Sequence, residues 1–294
     1  MKSIMSFIAS MVIFGTIGAI VRFIELPSSE IALFRGILGV VFILPFLFMN
    51  KANRLRKKFS ANTIILFLTG IALAGNWILL LKAFRYTTIA LAAVSYYTAP
   101  VIAMVLSIFI LKEKISPLKL IVICLTLIGM FMVMNVGESD ISSKKNLIGI
   151  LYGFSAAFCY ASVMLLNKFI RNLNGLETTI PQLFFATLIL ILYVVFANEM
   201  KPVFQSGLSF LLLIVLGVVH TGLGFLLFFI GMKGMKTQEI ALLSYFDPLV
   251  SVLISILIFK ESMSIIQITG AILICCTTLI GIVNLKELKR LMLR

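Results

Sequence analysis

Charge is scarce in this 294-residue chain: only 12% of residues are Asp, Glu, Lys or Arg. A water-soluble domain carries about 25%, so there is too little polar surface to cover a globule. Histidine occurs once and tryptophan once. No HExxH, phosphate loop or Cys–His ligand set is present, so there is no reacting constellation for a hydrolase, nucleotidase or metalloenzyme. Four cysteines are too few for a disulfide scaffold. All four (Cys124, Cys159, Cys275 and Cys276) fall in apolar runs without metal-ligand spacing, which makes them packing residues and leaves no cofactor to assign.

What is abundant is apolar sequence. Hydrophobic residues make up 61% of the chain, and the mean hydropathy is +1.16. Crossing a bilayer takes about 17–25 apolar residues in a helix. Ten such runs can be read between charges and turn signals: Ile4–Ile24, Ile31–Met49, Thr63–Leu81, Thr88–Leu111, Pro117–Val136, Leu147–Asn167, Thr179–Ala197, Ser209–Met232, Glu239–Phe259 and Ile265–Leu285. The runs are continuous rather than alternating, so they read as helices and not barrel strands. The first run follows Lys2 as a signal peptide would, but no small-residue cleavage site comes after it. It reads as a retained span.

The net charge of +14 reads as topology rather than nucleic-acid binding. With the N-terminus inside, 17 basic residues face the cytoplasm against 7 outside. That is the bias of a plasma-membrane protein with both termini cytoplasmic. The basic runs at 54–58 and 286–294 suit anionic lipid head groups.

The chain also repeats itself at an offset of 148 residues. Residues 86–114 and 234–262 are identical at 8 of 29 positions, including Tyr97/Tyr245, Pro100/Pro248, Lys112/Lys260 and Glu113/Glu261. Phe14-Gly15 and Arg22 match Tyr160-Ala161 and Lys168 more weakly. Each half holds five spans. An odd number inverts the second half, and inverted repeats are the architecture of secondary transporters with a midplane site. The expected fold is an all-α integral membrane protein of ten helices, with repeats at 1–136 and 137–294.

These two five-helix halves, Arg35 in LFRG, and the endings APVIAMVLSIFILKEK and DPLVSVLISILIFKES resemble the drug/metabolite transporter superfamily, EamA type. The resemblance covers essentially the whole chain. It implies a transporter of amino acids, sugars, nucleotide sugars or drugs, with a cavity lined mainly by helices 1, 3, 4, 6, 8 and 9. It says little about the substrate. Asp247 before Pro248 is less general in the family, so its role does not carry over with the resemblance.

Ionisable groups at membrane depth mark functional sites by default. Asp247 and His220 each precede the next basic residue by 13 positions, which places both near mid-depth. Asp247 either meets a substrate ammonium or proton, or bonds its own helix. His220 either relays protons or is satisfied by a carbonyl or Thr221. Arg35, one turn into its span, either binds an anion or gates, or else anchors by snorkelling or by pairing with Glu25 or Glu30. Pro100 and Pro248 are expected to loosen their helices and to free the carbonyls of Tyr96 and Ser244. Asn76, Trp77, Ser95, Tyr97, Tyr160, Gln182, Phe225 and Tyr245 are candidate substrate contacts, with core packing as the competing role. Glu113 and Glu261 are candidate gate residues, with interfacial anchoring as the alternative.

The expected function is gradient- or exchange-driven transport of a small amphipathic metabolite. An amino acid or related amine fits best, and export is favoured. The alternative is a lipid-acting membrane protein, a flippase or an enzyme. Expected partners are the small-molecule substrate, the bilayer and, as candidate coupling ions, protons. No nucleic acid is expected, and the sequence leaves the oligomeric state open.

Overall fold

In lipid, each backbone amide and carbonyl must be paired within the chain, which makes helix the default for every apolar run. The computed structural model describes residues 2–49, 59–87, 89–114, 116–134, 144–197, 206–260 and 264–292. These residues form the helices α1 (Lys2–Gly15), α2 (Ile17–Val21), α3 (Ser28–Met49), α4 (Phe59–Tyr86), α5 (Ile89–Tyr96), α6 (Ala99–Ile110), α7 (Pro117–Met134), α8 (Lys144–Leu166), α9 (Gly175–Phe196), α10 (Gly207–Val215), α11 (Gly224–Met232), α12 (Thr237–Leu243), α13 (Phe246–Leu257) and α14 (Ile265–Met292). A π-helical turn, Leu216–Leu223, joins α10 to α11. Over the described residues, each apolar run read from the sequence falls on one helix or on helices that abut.

Among the described residues, seven helical segments are long and apolar enough to cross a membrane, and Pro117–Val133 and Ile265–Thr277 are shorter apolar helices. The bundle is apolar outside as well as inside. Phe196 and Ile265 are more than 80% exposed, while Thr69, Asn76 and Gln182 are buried. Such a surface suits lipid and would associate in water.

Four of the ten runs are interrupted rather than continuous. The first breaks at Thr16, whose amide and hydroxyl both turn to the Ile13 carbonyl at 3.1 and 2.7 Å. The fourth breaks at Tyr97–Thr98 and the ninth at Ser244–Tyr245. The eighth carries the π turn. This corrects the expectation that the prolines sit inside loosened helices. Pro100 lies in the first turn of α6, where its missing N–H is no loss. Pro248 lies in the first turn of α13, and the Ser244 carbonyl is not free, because it accepts the Asp247 amide at 3.3 Å.

The breaks also carry the internal repeat. Shifted by 148 residues, α5 and α6 fall on α12 and α13 to within one residue. Lys112 and Lys260, 148 apart, both take a left-handed backbone, at φ 54° and 52°. The two breaks touch: the buried Tyr245 hydroxyl donates to the Tyr97 carbonyl at 3.3 Å.

Around this crossing, α4 packs on α8 and α9, α1 on α11 and α13, and α3 on α9 and the π turn. α7 packs on α14. There the Thr126 hydroxyl donates to the Thr277 hydroxyl at 2.8 Å. A Cβ on Gly270 would stand 2.6 Å from the Gly129 carbonyl oxygen, so these two helices meet backbone to backbone. Gly149 and Gly153 similarly let α8 reach Thr87 and Ser95.

Contacts sort the connections into two ends. One joins Asn62 to Arg171 and Glu113 to Thr237. The other joins Glu25 to Ser209, and Phe23 to Phe259.

The α7–α14 contact gives a stability prediction. Gly270→Leu should destabilise the protein by about 1–3 kcal/mol through overpacking, read as a lower thermal unfolding midpoint in detergent. Gly207→Ala is the control, because a Cβ there meets nothing within 4 Å.

Candidate functional site

A cavity of about 420 Å³ lies within the bundle and extends to Val21 and the exposed Ser28 and Phe84. This is within the size range of small-molecule sites. Its walls come from α1 and α2 (Phe14, Gly15, Ile17), α3 (Ala32, Arg35), α4 (Leu73, Asn76, Trp77), the α5–α6 break (Tyr96, Tyr97), α8 (Tyr160), α11 (Phe225) and α13 (Asp247, Pro248, Ser251).

Aromatic rings cluster on part of the wall. Tyr96 lies 5.6 Å from Tyr97 and stacks on Tyr160 at 5.8 Å, and Tyr160 stacks on Phe228 at 5.9 Å. Phe225 contacts Phe14 at 5.0 Å and Trp77 at 5.7 Å. Such rings present flat apolar faces with few rotatable bonds, and hydroxyls at their edges.

Two ionisable side chains enter this lining. Arg35 turns inward from α3 and lays its guanidinium 4.2 Å over the Trp77 ring, a cation–π contact. Its Nε is buried and has no hydrogen-bond partner among the described residues. Asp247 enters from the first turn of α13, where the helix dipole favours a negative charge. Gly15 allows this placement: a Cβ there would stand 2.6 Å from the Asp247 carbonyl, so α1 closes directly onto the α13 backbone. Tyr96 lies within Coulombic reach of both Asp247 and Arg35.

The cavity therefore brings together Arg35, Asn76, Trp77, Tyr97, Tyr160, Phe225, Asp247 and Pro248 from the sequence-derived set. The Asn76 amide also donates to the Ala156 carbonyl at 2.9 Å, pinning α4 to α8.

The remaining candidates lie elsewhere. Ser95 is buried and bonds back to the Leu91 carbonyl at 2.7 Å. The Gln182 amide donates to Asn167 at 2.9 Å. Tyr245 is fully buried against Met130, Val133 and Ile274. Pro100 is buried at the start of α6. Glu113 sits beyond the end of α6 on the α12 side. Glu261 falls outside the described residues.

His220 is buried in the π turn behind the cavity wall. Its Nε2 lies 2.7 Å from the Thr16 hydroxyl, and its Nδ1 lies 3.3 Å from the Val215 carbonyl. A π turn, a feature frequent at functional sites, thus faces a helix break across one polar contact.

Phe14 and Ser251 are among the cavity residues that the sequence did not mark as candidates. Phe14 is the repeat counterpart of Tyr160, so the weak match at 146 residues was a usable signal. Ser251 lies one turn beyond Asp247 on the same helix face. Tyr96 belongs to the polar run Ser95–Thr98, part of which the sequence favours as cavity lining, and the break at Tyr97 turns Tyr96 and Tyr97 into one space.

The sequence profile described as the EamA-like transporter family matches residues 1–135 and 147–283. The chain is 28% identical over 273 residues to the uncharacterized transporter YxxF of Bacillus subtilis (strain 168), covering 92% of this chain and 86% of that protein. It is 24% identical over 267 residues to a protein named S-adenosylmethionine uptake transporter in Rickettsia felis, covering 90% of this chain and 85% of that one. A solved crystal structure shares the fold at TM-score 0.82 and 16% identity, over 97% of this chain and 98% of that one.

The placements of Tyr245 and Ser251 separate in one experiment. In a background lacking the native cysteines, Ser251→Cys should react with a water-soluble maleimide. Adding Tyr245→Phe should lower stability by about 1 kcal/mol, the net worth of a buried hydrogen bond, and leave the labelling rate unchanged.

Proposed function

The chain belongs to the EamA-like transporter family, and from that premise we propose that it is a secondary transporter of a small amphipathic metabolite, an amino acid or related amine. The observation that supports the reading is one cavity holding a guanidinium, a carboxylate and a ring-lined middle. Arg35 lines the cavity, and its guanidinium meets a substrate carboxylate. Asp247 meets the ammonium, and Trp77, Tyr96, Tyr160 and Phe225 take the apolar part. No ion pair joins Arg35 to Asp247 among the described residues, so each charge is available to a zwitterion that spans them.

In this reading the helices make ten crossings in two inverted halves, 1–136 and 137–294, with both termini cytoplasmic in the cell membrane. The cavity then faces outward. Protons or exchange supply the energy, with Asp247 as the coupling group and His220 as the candidate relay behind the wall. Pro100 and Pro248 let each broken helix restart at the crossing without an unpaired amide.

The relatives named for S-adenosylmethionine uptake support a second version of the same site. That compound combines an amino-acid head with a cationic sulfonium, which the tyrosine faces and Asp247 suit. It reverses the favoured direction from export to uptake.

Flux into and out of proteoliposomes tests both. Purified protein should move a zwitterionic amino acid or S-adenosylmethionine, and not scramble lipid. Arg35→Gln and Asp247→Asn should each lower flux at subsaturating substrate about tenfold to a hundredfold, the worth of a hydrogen bond to a charged group. Asp247→Asn should also flatten the pH dependence. Full flux with an unchanged pH profile in Asp247→Asn would remove the coupling role, and the same result in His220→Ala would leave that histidine as a packing group.

A further inference from the structure

The end of the bundle opposite the cavity mouth is closed by bonds that run between the two halves of the chain. After α6 the backbone turns through Lys112 in a left-handed conformation, which a residue with a side chain holds only when its surroundings over-determine it. The Glu113 amide is tied back to the Ser107 carbonyl at 3.2 Å. This turn aims the Glu113 carboxylate at the start of α12. It accepts the Thr237 amide at 3.1 and 3.2 Å and the Thr237 hydroxyl at 3.1 Å. The neighbouring Gln238 amide donates to the Lys114 carbonyl at 2.6 Å.

Two lysines tie the adjoining loops reciprocally. Lys168 donates to the Met235 carbonyl, and Lys233 donates to the Leu173 carbonyl. No residue of these contacts lines the cavity.

Glu113 differs from an ordinary surface anchor in what it holds. α12 is buried along its whole length, from Thr237 to Leu243. Its far end is the break at Ser244–Tyr245, which bonds the Tyr97 carbonyl and leads directly into Asp247. A movement of the first turn of α12 is therefore transmitted through seven helical residues to the cavity floor. Carboxylate bonds to backbone amides are strong while made, and they break without covalent change.

We propose that Glu113 is the lock of this end: its carboxylate holds the first turn of α12 shut, and the cavity reaches this end only when Thr237 leaves it. The proposal rests on the transporter reading for its purpose, but the lock itself is read without any substrate.

The test is thiol accessibility in the full chain with Cys124, Cys159, Cys275 and Cys276 replaced by serine. A single Ile240→Cys reports on α12, because Ile240 is buried between the lock and the cavity. Membrane-impermeant maleimide is applied to right-side-out and inside-out vesicles. With Glu113 intact, Ile240→Cys should react slowly from both sides. Glu113→Ala should raise its rate from the locked end about tenfold, the equilibrium shift expected from losing a helix-end cap, and should slow Ser251→Cys from the mouth. Thr237→Pro removes the same amide donor at a helix position that tolerates proline, and should reproduce the effect. Glu113→Gln should fall between, and carries the test if the alanine variant fails to fold. Unchanged Ile240→Cys rates in Thr237→Pro and in a folded Glu113 variant would overturn the lock. An unreactive Ser251→Cys with a responsive Ile240→Cys would overturn the outward-open cavity and leave the lock standing.

Discussion

The constraint on which everything else depends is that a backbone amide in lipid has no water to turn to. It forces each apolar run into helix, and it makes any break in a helix affordable only where another group completes the bonding. The breaks here meet that condition locally. The Thr98 hydroxyl takes the Ser95 carbonyl at 2.6 Å, the Asp247 amide takes the Ser244 carbonyl, and the Tyr245 hydroxyl reaches across to Tyr97. Pro100 and Pro248 follow the same rule, standing where a helix has just begun and the missing amide is not needed.

Breaking helices in pairs is what creates a site in an otherwise close-packed bundle. A continuous helix through residues 89–110 would point Tyr96 and Tyr97 to different sides. The turn at Tyr97–Thr98 instead presents both to one cavity. The corresponding turn in the second half places Asp247 at a helix start, where its charge is favoured. Opposite them, the kink at Thr16 and the π turn around His220 shape the far wall, and Gly15 draws α1 against α13. Polar groups at depth thus serve two separate ends. Gln182 and Thr277 hold helices together, while Arg35, Asp247 and the tyrosine edges line the cavity.

The two ends of the molecule are unequal although the sequence repeats. Lys112 and Lys260 share a left-handed turn. Lys168 grips a backbone carbonyl at one end, whereas its weak repeat counterpart Arg22 lies 4.7 Å from the centre of the Phe259 ring at the other. One end is thus joined mainly by charged side chains on backbone groups, and the other by a serine bond and aromatic contacts.

How much of this was legible beforehand follows the range of the forces involved. Local composition determined the helices, because hydrophobicity over some 20 residues and the absence of water act on each segment by itself. The repeat at 148 residues and the aromatic character of Trp77, Tyr97, Tyr160 and Phe225 were readable because they are written in the residues themselves. The tertiary structure alone decided which polar side chains face the cavity. Ser95 and Tyr96 are adjacent in sequence and equally polar at that resolution, yet one bonds its own helix and the other lines the site. Tyr245 carries the same repeat position as Tyr97 but is buried, because its hydroxyl closes the partner break. Arg35 finds Trp77 only because α3 and α4 pack together. Those outcomes depend on contacts between segments tens to hundreds of residues apart, and no local pattern contains them.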